Sequence, residues 1–135
     1  MVNIVSLHED GFNGLPDKIS NGPLYKNILN VIDTATIIAV TKQCKKDVAA
    51  LEKDADDIKY AIKSAVRSGR YIGSEWCLLN QNETWAACDS YSFVETTWIE
   101  AANKDMPCNF YIKFCISKTG NVLLTVSYHP ERSRY

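Results

Sequence analysis

Apolar residues recur every three or four positions from Leu24 to Ala65 and alternate with polar ones in several later stretches, so helices are expected first and strands afterwards. Val2–Leu7 reads as a short strand. His8 to Gly22, with three glycines and a proline, reads as a loop. Ser20 or Asn21 followed by Pro23 has the form of a helix start, and Leu24, Ile28, Val31, Ile32 and Ala35 keep helical spacing. Thr34–Val40 fits either a strand, on its β-branched run, or a continuation of the flanking helical periods.

The clearest signal is the 4-3-4-3-4-3 spacing of Cys44, Val48, Leu51, Ala55, Ile58, Ile62 and Ala65, separated by Lys, Asp and Glu. It predicts one helix over 42–68, about 40 Å long at 1.5 Å per residue, closed by Ser68-Gly69 with the glycine free to turn left-handed. Such a helix spans the whole molecule along its surface. Its narrow stripe packs either on this chain's own sheet or, as a helix-pair seam, on a second copy or a partner through Val48, Leu51, Ala55, Ile58 and Ile62.

Tyr71–Leu79 and Thr84–Val94 read as strands joined by the polar turn 80–83. Trp85, Ala87, Asp89, Tyr91 and Phe93 share one face of the second strand, where a buried Asp89 needs a partner. Thr97-x-x-Glu100 has capping-box form, which predicts a short helix from Trp98 to about Asn103, and Pro107 stops it. Asn109–Ser117 and Asn121–Tyr128 form a hairpin. Pairing Ser117 with Asn121 places Phe110, Ile112, Phe114 and Ile116 on the same face as Val122, Leu124, Val126 and Tyr128. The opposite face then carries Tyr111, Lys113 and Cys115 alongside Leu123, Thr125, Ser127 and His129, with Tyr111 across from Ser127 and diagonal to His129. The expected fold is α+β, a single domain over 1–135: N-terminal helices, one of them long (about 42–68), packed on an antiparallel sheet of four to five strands.

The chain has 135 residues, 46% of them hydrophobic and 23% charged, with a formal net charge of −1. That composition excludes disorder, and the charge excludes a global field recruiting nucleic acid or an anionic membrane. No run approaches the ~18 apolar residues of a membrane span. The five cysteines are an odd number without a C-x-x-C, which points to reduced thiols in the cytoplasm. His8 and His129 stand at no ligand spacing from a cysteine, so no metal and no cofactor is expected.

Tyr111, His129, Lys113 and Glu100 make the best catalytic set. Imidazole exchanges protons near neutrality, a phenol can hydrogen-bond a phosphate, a cation stabilises the charge that develops there, and a carboxylate can act as base. Arg132, Arg134 and Lys118 would supply the phosphate-binding charge for RNA. Residues 42–70 hold eight basic and five acidic side chains, and residues 71–110 one basic and six acidic, so an RNA surface would have to turn the acidic middle away.

The C-terminal half resembles MqsR-type toxins, small RNA-cleaving members of the RelE-like class. The resemblance lies in Leu79–Trp85 (L-N-Q-N-E-T-W), Trp98-Ile99-Glu100, Tyr111-Ile112-Lys113-Phe114 and Val126-Ser127-Tyr128-His129. It implies a metal-independent endoribonuclease, the toxin of a toxin–antitoxin pair, with Tyr111 as the active-site tyrosine. His129 stands where that family has a lysine, Ile99 or Glu100 near its glutamine, and Ala86 and Ala87 where a further lysine is expected. Because that set is incomplete and the helical seam is clear, the favoured expectation is a non-catalytic interaction module or homodimer acting through helix 42–68, with RNA the partner under the alternative.

Overall fold

The computed structural model describes residues 2–80 and 83–131. In chain order the elements are β1 (Asn3–Ile4), β2 (Lys18–Ile19), α1 (Ile28–Val31), β3 (Thr36–Ala39), α2 (Lys42–Ala50), α3 (Ala55–Ser68), β4 (Arg70–Asn80), β5 (Thr84–Ile99), a 3-10 turn (Glu100–Ala102), β6 (Lys104–Ile116) and β7 (Val122–Pro130). The strands form one seven-stranded sheet in the order β2-β4-β5-β6-β7-β3, with β1 also on β5. β4 to β7 pair antiparallel with their neighbours, whereas β3 runs parallel to β7 and β1 parallel to β5. The sheet is therefore mixed and larger than the four or five antiparallel strands expected, because three short segments from the N-terminal region, β1, β2 and β3, add to it. Thr34–Val40, open from sequence, supplies the edge strand β3.

The single long helix is also overturned. α2 ends at Ala50, Glu52 turns left-handed at φ 56°, and α3 restarts behind Asp54. The Asp54 carboxylate accepts from the Asp57 N–H at 2.9 Å, and the Asp57 carboxylate accepts from the Asp54 N–H at 3.0 Å. This reciprocal cap satisfies two end donors that a continuous helix would not free. Gly69 ends α3 at φ −88°, not left-handed. Glycine is needed there for space: a Cβ would lie 2.5 Å from the Ser92 carbonyl and 2.6 Å from that of Ala65.

α3 lays Ile58, Ala61, Ile62 and Ala65 into the core, together with Ile28 and Ile32 from in and beside α1. The sheet answers with Tyr91, Phe93, Phe110, Ile112, Phe114, Ile116, Leu123 and Tyr128. α2 starts at Thr41, whose hydroxyl accepts from the Cys44 N–H and donates to the Val126 carbonyl, both at 3.0 Å.

The final hairpin pairs differently from expectation. Its closing bond runs from the Ser117 N–H to Val122, and Ile116 lies opposite Leu123, one residue out of the expected register. A bulge between Lys113 and Phe114 adds another step, so Ile112 faces Tyr128 and Tyr111 faces His129. Leu123 and Thr125 are consequently buried, while Val122 and Leu124 turn to the other face and stay half-buried. The Thr125 hydroxyl has no hydrogen-bond partner among the described residues.

The helix expected over Trp98–Asn103 is reduced to one 3-10 turn. β5 runs on to Ile99, and Pro107 lies inside β6, opposite Thr96. The Asn109 carbonyl accepts from Glu131 on the β7 side, so Pro107, two residues away, turns its donor-less nitrogen to the same side, beyond the end of β7. Proline is tolerated there because an outer edge needs no N–H. The expected first strand is shorter, Asn3–Ile4 with a bridge at Ser6, and the first helix begins at Ile28 rather than Pro23.

Candidate functional site

The face of the sheet away from the helices brings three of the four candidate catalytic residues together. Tyr111 and His129 lie directly across β6 and β7, their rings stacked with centroids 5.4 Å apart and 29° between planes. His129 Nδ1 is 2.8 Å from the Pro130 carbonyl, which can only accept, so Nδ1 carries the proton and Nε2 is the atom left for exchange. Lys113 Nζ stands 5.9 Å from the Tyr111 ring centroid, at the limit of a cation–π contact.

The charge of Lys113 is already used. Its Nζ reaches across β5 to the Glu75 carboxylate on β4 at 2.7 Å, with the lysine side chain only 16% exposed. Burial alone lowers the ammonium's pKa, and the neighbouring Cys77 sulfur and Glu75 raise it; the net direction is upward. Because the Cys77 thiol is itself held protonated, the Glu75 carboxylate is the group that carries the opposing charge. A developing phosphate charge would therefore meet a neutral pair. The hollow between Lys18, Gly73, Glu75, Ser90 and Tyr111 is about 140 Å³, below the several hundred of a ligand site.

Glu100 is not part of this cluster. It starts the turn at the far end of β5 and β6, beyond the Ile99–Lys104 pair. Seven residue steps along β6 separate Lys104 from Tyr111, about 23 Å at ~3.3 Å per step. Lys118 lies at the opposite end, on the β6–β7 turn, in an ion pair with Glu9 at 2.5 Å. Arg132 and Arg134 lie outside the described residues. Among the described residues no His, Cys, Asp or Glu group has metal-ligand geometry.

Cys44, Cys77 and Cys88 are poor nucleophiles. Cys88 and Cys115 are fully buried, burial pushes the Cys88 thiol well above its ordinary value, and burial pushes Cys44 up to about 11. A hydrogen bond with Cys88, then burial, raises Cys77.

The proposed helical interface is consumed internally. Ile58 and Ile62 are 4% and 0% exposed, Val48 and Leu51 are half-buried against the same core, and Ala55 is exposed beside the cap. The stripe thus packs on this chain's own sheet, from two helices rather than from the one expected over 42–68.

Asp89, flagged from sequence as needing a partner, has three. Its carboxylate, on β5 and fully buried, accepts from the Leu24 N–H and the Tyr25 N–H at 3.0 Å each, and from the Ser74 hydroxyl at 2.6 Å. Tyr25 adds a bond from its hydroxyl to the Ala87 carbonyl. Asp89 therefore fastens the segment before α1 to the sheet and is structural.

The feature missed in sequence is an arm. β4 ends its pairing with β5 at Arg70–Ser92, and β7 ends on β6 at Phe110–Pro130. Beyond those points Val94–Ile99 and Lys104–Cys108 project as a two-stranded ribbon. Glu95 anchors one face, by an ion pair to Lys53 at 3.1 Å and a bond from the Tyr128 hydroxyl at 2.6 Å. The other face is bare: Val94 is 61% and Trp98 51% exposed. The alternation of Val94, Thr96 and Trp98 was the available signal, masked by the helical cap pattern laid over it.

Among the described residues, no helix is long and apolar enough to cross a membrane. No family model, no curated protein and no solved structure matches this chain, so the resemblance to MqsR-type toxins rests on the quoted residues alone.

Proposed function

We propose that this chain is a non-catalytic protein-interaction module that docks through the β5–β6 arm. The observation that carries the reading is the bare face of that arm, where Val94 and Trp98 stand exposed on a ribbon anchored from behind by Glu95. Isolated exposed apolar side chains are ordinary, but two on one face of a projecting ribbon with unpaired edges form a recognition element. The odd set of five unpaired thiols supports a reducing, cytoplasmic setting.

The competing reading, a metal-independent ribonuclease of the MqsR type, draws support from the Tyr111–His129 stack and loses it at Lys113, which Glu75 neutralises, and at Glu100, which is remote. The two readings separate in one comparison. Under the module reading, a partner retained by the wild type is retained by Tyr111→Phe and His129→Ala and lost by Val94→Glu and Trp98→Glu, with all four folded by circular dichroism. RNA turnover that persists in chelator and vanishes in Tyr111→Phe and His129→Ala would overturn it.

A further inference from the structure

We infer that the outer edge of β5 is a self-pairing surface, and that the partner it fits is a second copy of this chain. The inference rests on the module reading and names that module's partner. Along β5 the backbone groups alternate in direction. Trp85 accepts from Val5 on the side where β6 lies, and β5 pairs with β6 without a register shift, so Val94, Thr96 and Trp98 turn their N–H and C=O groups to the other side. That is the side of β4, which has ended at Arg70. Among the described residues nothing hydrogen-bonds these groups there. The outer edge of β6 carries Pro107, a residue that blocks strand addition, whereas the β5 edge carries no proline and no charge on its three outward residues.

The pattern Val94-x-Thr96-x-Trp98 is self-complementary about Thr96. Two edges laid antiparallel on a two-fold axis through Thr96 set Val94 of each copy against Trp98 of the other, so an aromatic meets a β-branched side chain on the bare face. The outer side of Ser92 is taken by Arg70, so the same register carries the turn beginning at Glu100 of one copy up against the end of β4 of the other. Arg70 pairs with Ser92, is exposed and has no ion pair among the described residues. A carboxylate thus arrives beside a free guanidinium, twice by symmetry. A groove of about 490 Å³, lined by Ser64, Ser68, Gly69, Arg70, Ser92 and Val94, is open at that place to receive the turn. An edge this short buries less than the ~1,200 Å² of a standard interface, so the dimer belongs to the weak, reversible class.

Sedimentation velocity of the full chain over rising concentration tests this. The expected result is a monomer–dimer equilibrium whose dissociation constant rises at least tenfold in Thr96→Pro, which removes one outward N–H. Arg70→Glu and Glu100→Arg each weaken the dimer, and the double variant restores it; these two surface changes keep the test valid should the proline variant unfold. A wild type that stays monomeric at about 1 mM, the millimolar range of the weakest contacts, overturns the inference, as does a dimer indifferent to the charge swap. Either result leaves the module reading to its own test, since arm variants can still lose a different partner.

Discussion

Replacing Asp89 by asparagine tests the tie between the segment before α1 and the sheet. One carboxylate oxygen accepts from Leu24 N–H and the Ser74 hydroxyl, the other from Tyr25 N–H. An amide matches both sides in neither orientation. In its better one the carbonyl keeps Leu24 and Ser74, while the NH₂ group opposes the Tyr25 N–H. One charge-assisted bond, about 2 kcal/mol, is then lost, and two others fall toward the ~1 kcal/mol of neutral bonds. The absent cost of burying a charge offsets part of this, and the net loss is about 3 kcal/mol. For a chain of this size each kcal/mol moves Tm by about 3–4 °C, so Asp89→Asn melts about 10 °C lower by circular dichroism. Ser74→Ala costs less, about 2 kcal/mol, because it removes one charge-assisted donor together with the bond between the Ser74 and Tyr71 hydroxyls and leaves the backbone bonds. Amide exchange at Leu24 and Tyr25 should quicken in Asp89→Asn before global unfolding. A loss below about 1 kcal/mol with both amides still protected would show that the carboxylate does not hold this segment.

Two further outcomes follow from burial. Ile58→Glu places a carboxylate at a position 4% exposed, so the chain unfolds rather than remaining folded with a disrupted helix surface; a folded, cooperative variant by thermal melting would return α3 to the list of interfaces. At alkaline pH, burial raises the phenols of Tyr25, Tyr128 and Tyr91, the last to about 12, and a hydrogen bond to Glu95 adds to the rise at Tyr128. The unfolded chain releases these protons from about pH 10, so the stability they contribute is complete below that pH and falls as pH rises above it. Phenolate absorbance should show the phenols of Tyr25, Tyr91 and Tyr128 ionising late, the last of them with unfolding; release of those three protons at about pH 10 from a chain still folded would contradict this packing.

The elements legible in the sequence were those whose period matched their final surroundings. Phe110, Ile112, Phe114 and Ile116 alternate into the core as their spacing requires. Tyr111 and His129 share the opposite face, though by direct pairing rather than across a diagonal. The break at 51–54 was hidden because Leu51, Ala55 and Ile58 keep helical spacing through it. What decides there is local, the Asp54–Asp57 exchange of hydrogen bonds, and the carboxylate at Asp57 fills the role usually given to Glu or Gln. The hairpin register was misread because Val122, Leu124 and Val126 alternate as convincingly as Leu123 and Thr125. Only the bulge before Tyr128 lets the large phenol return to the core, and a bulge leaves no mark in the residue types around it. The parallel additions of β1 and β3 are non-local and have no sequence period at all.

A hydrophobic period reports that a face will be covered, not what will cover it. The stripe on α2 and α3 is the strongest such period in this chain, and the sheet covers it, leaving Ile62 with no exposure. The weaker alternation of Val94, Thr96 and Trp98 is covered by nothing among the described residues, because β4 and β7 stop short of it and Glu95 turns the ribbon's opposite face to the body. Extending β4 by one residue past Arg70 would begin to close that edge. Instead the chain leaves α3 through Gly69, which takes that place at a position where a Cβ would strike the Ser92 carbonyl. The tight helix-to-strand connection that packs α3 on the sheet is therefore what leaves the arm open, so the buried stripe and the free edge have one structural cause.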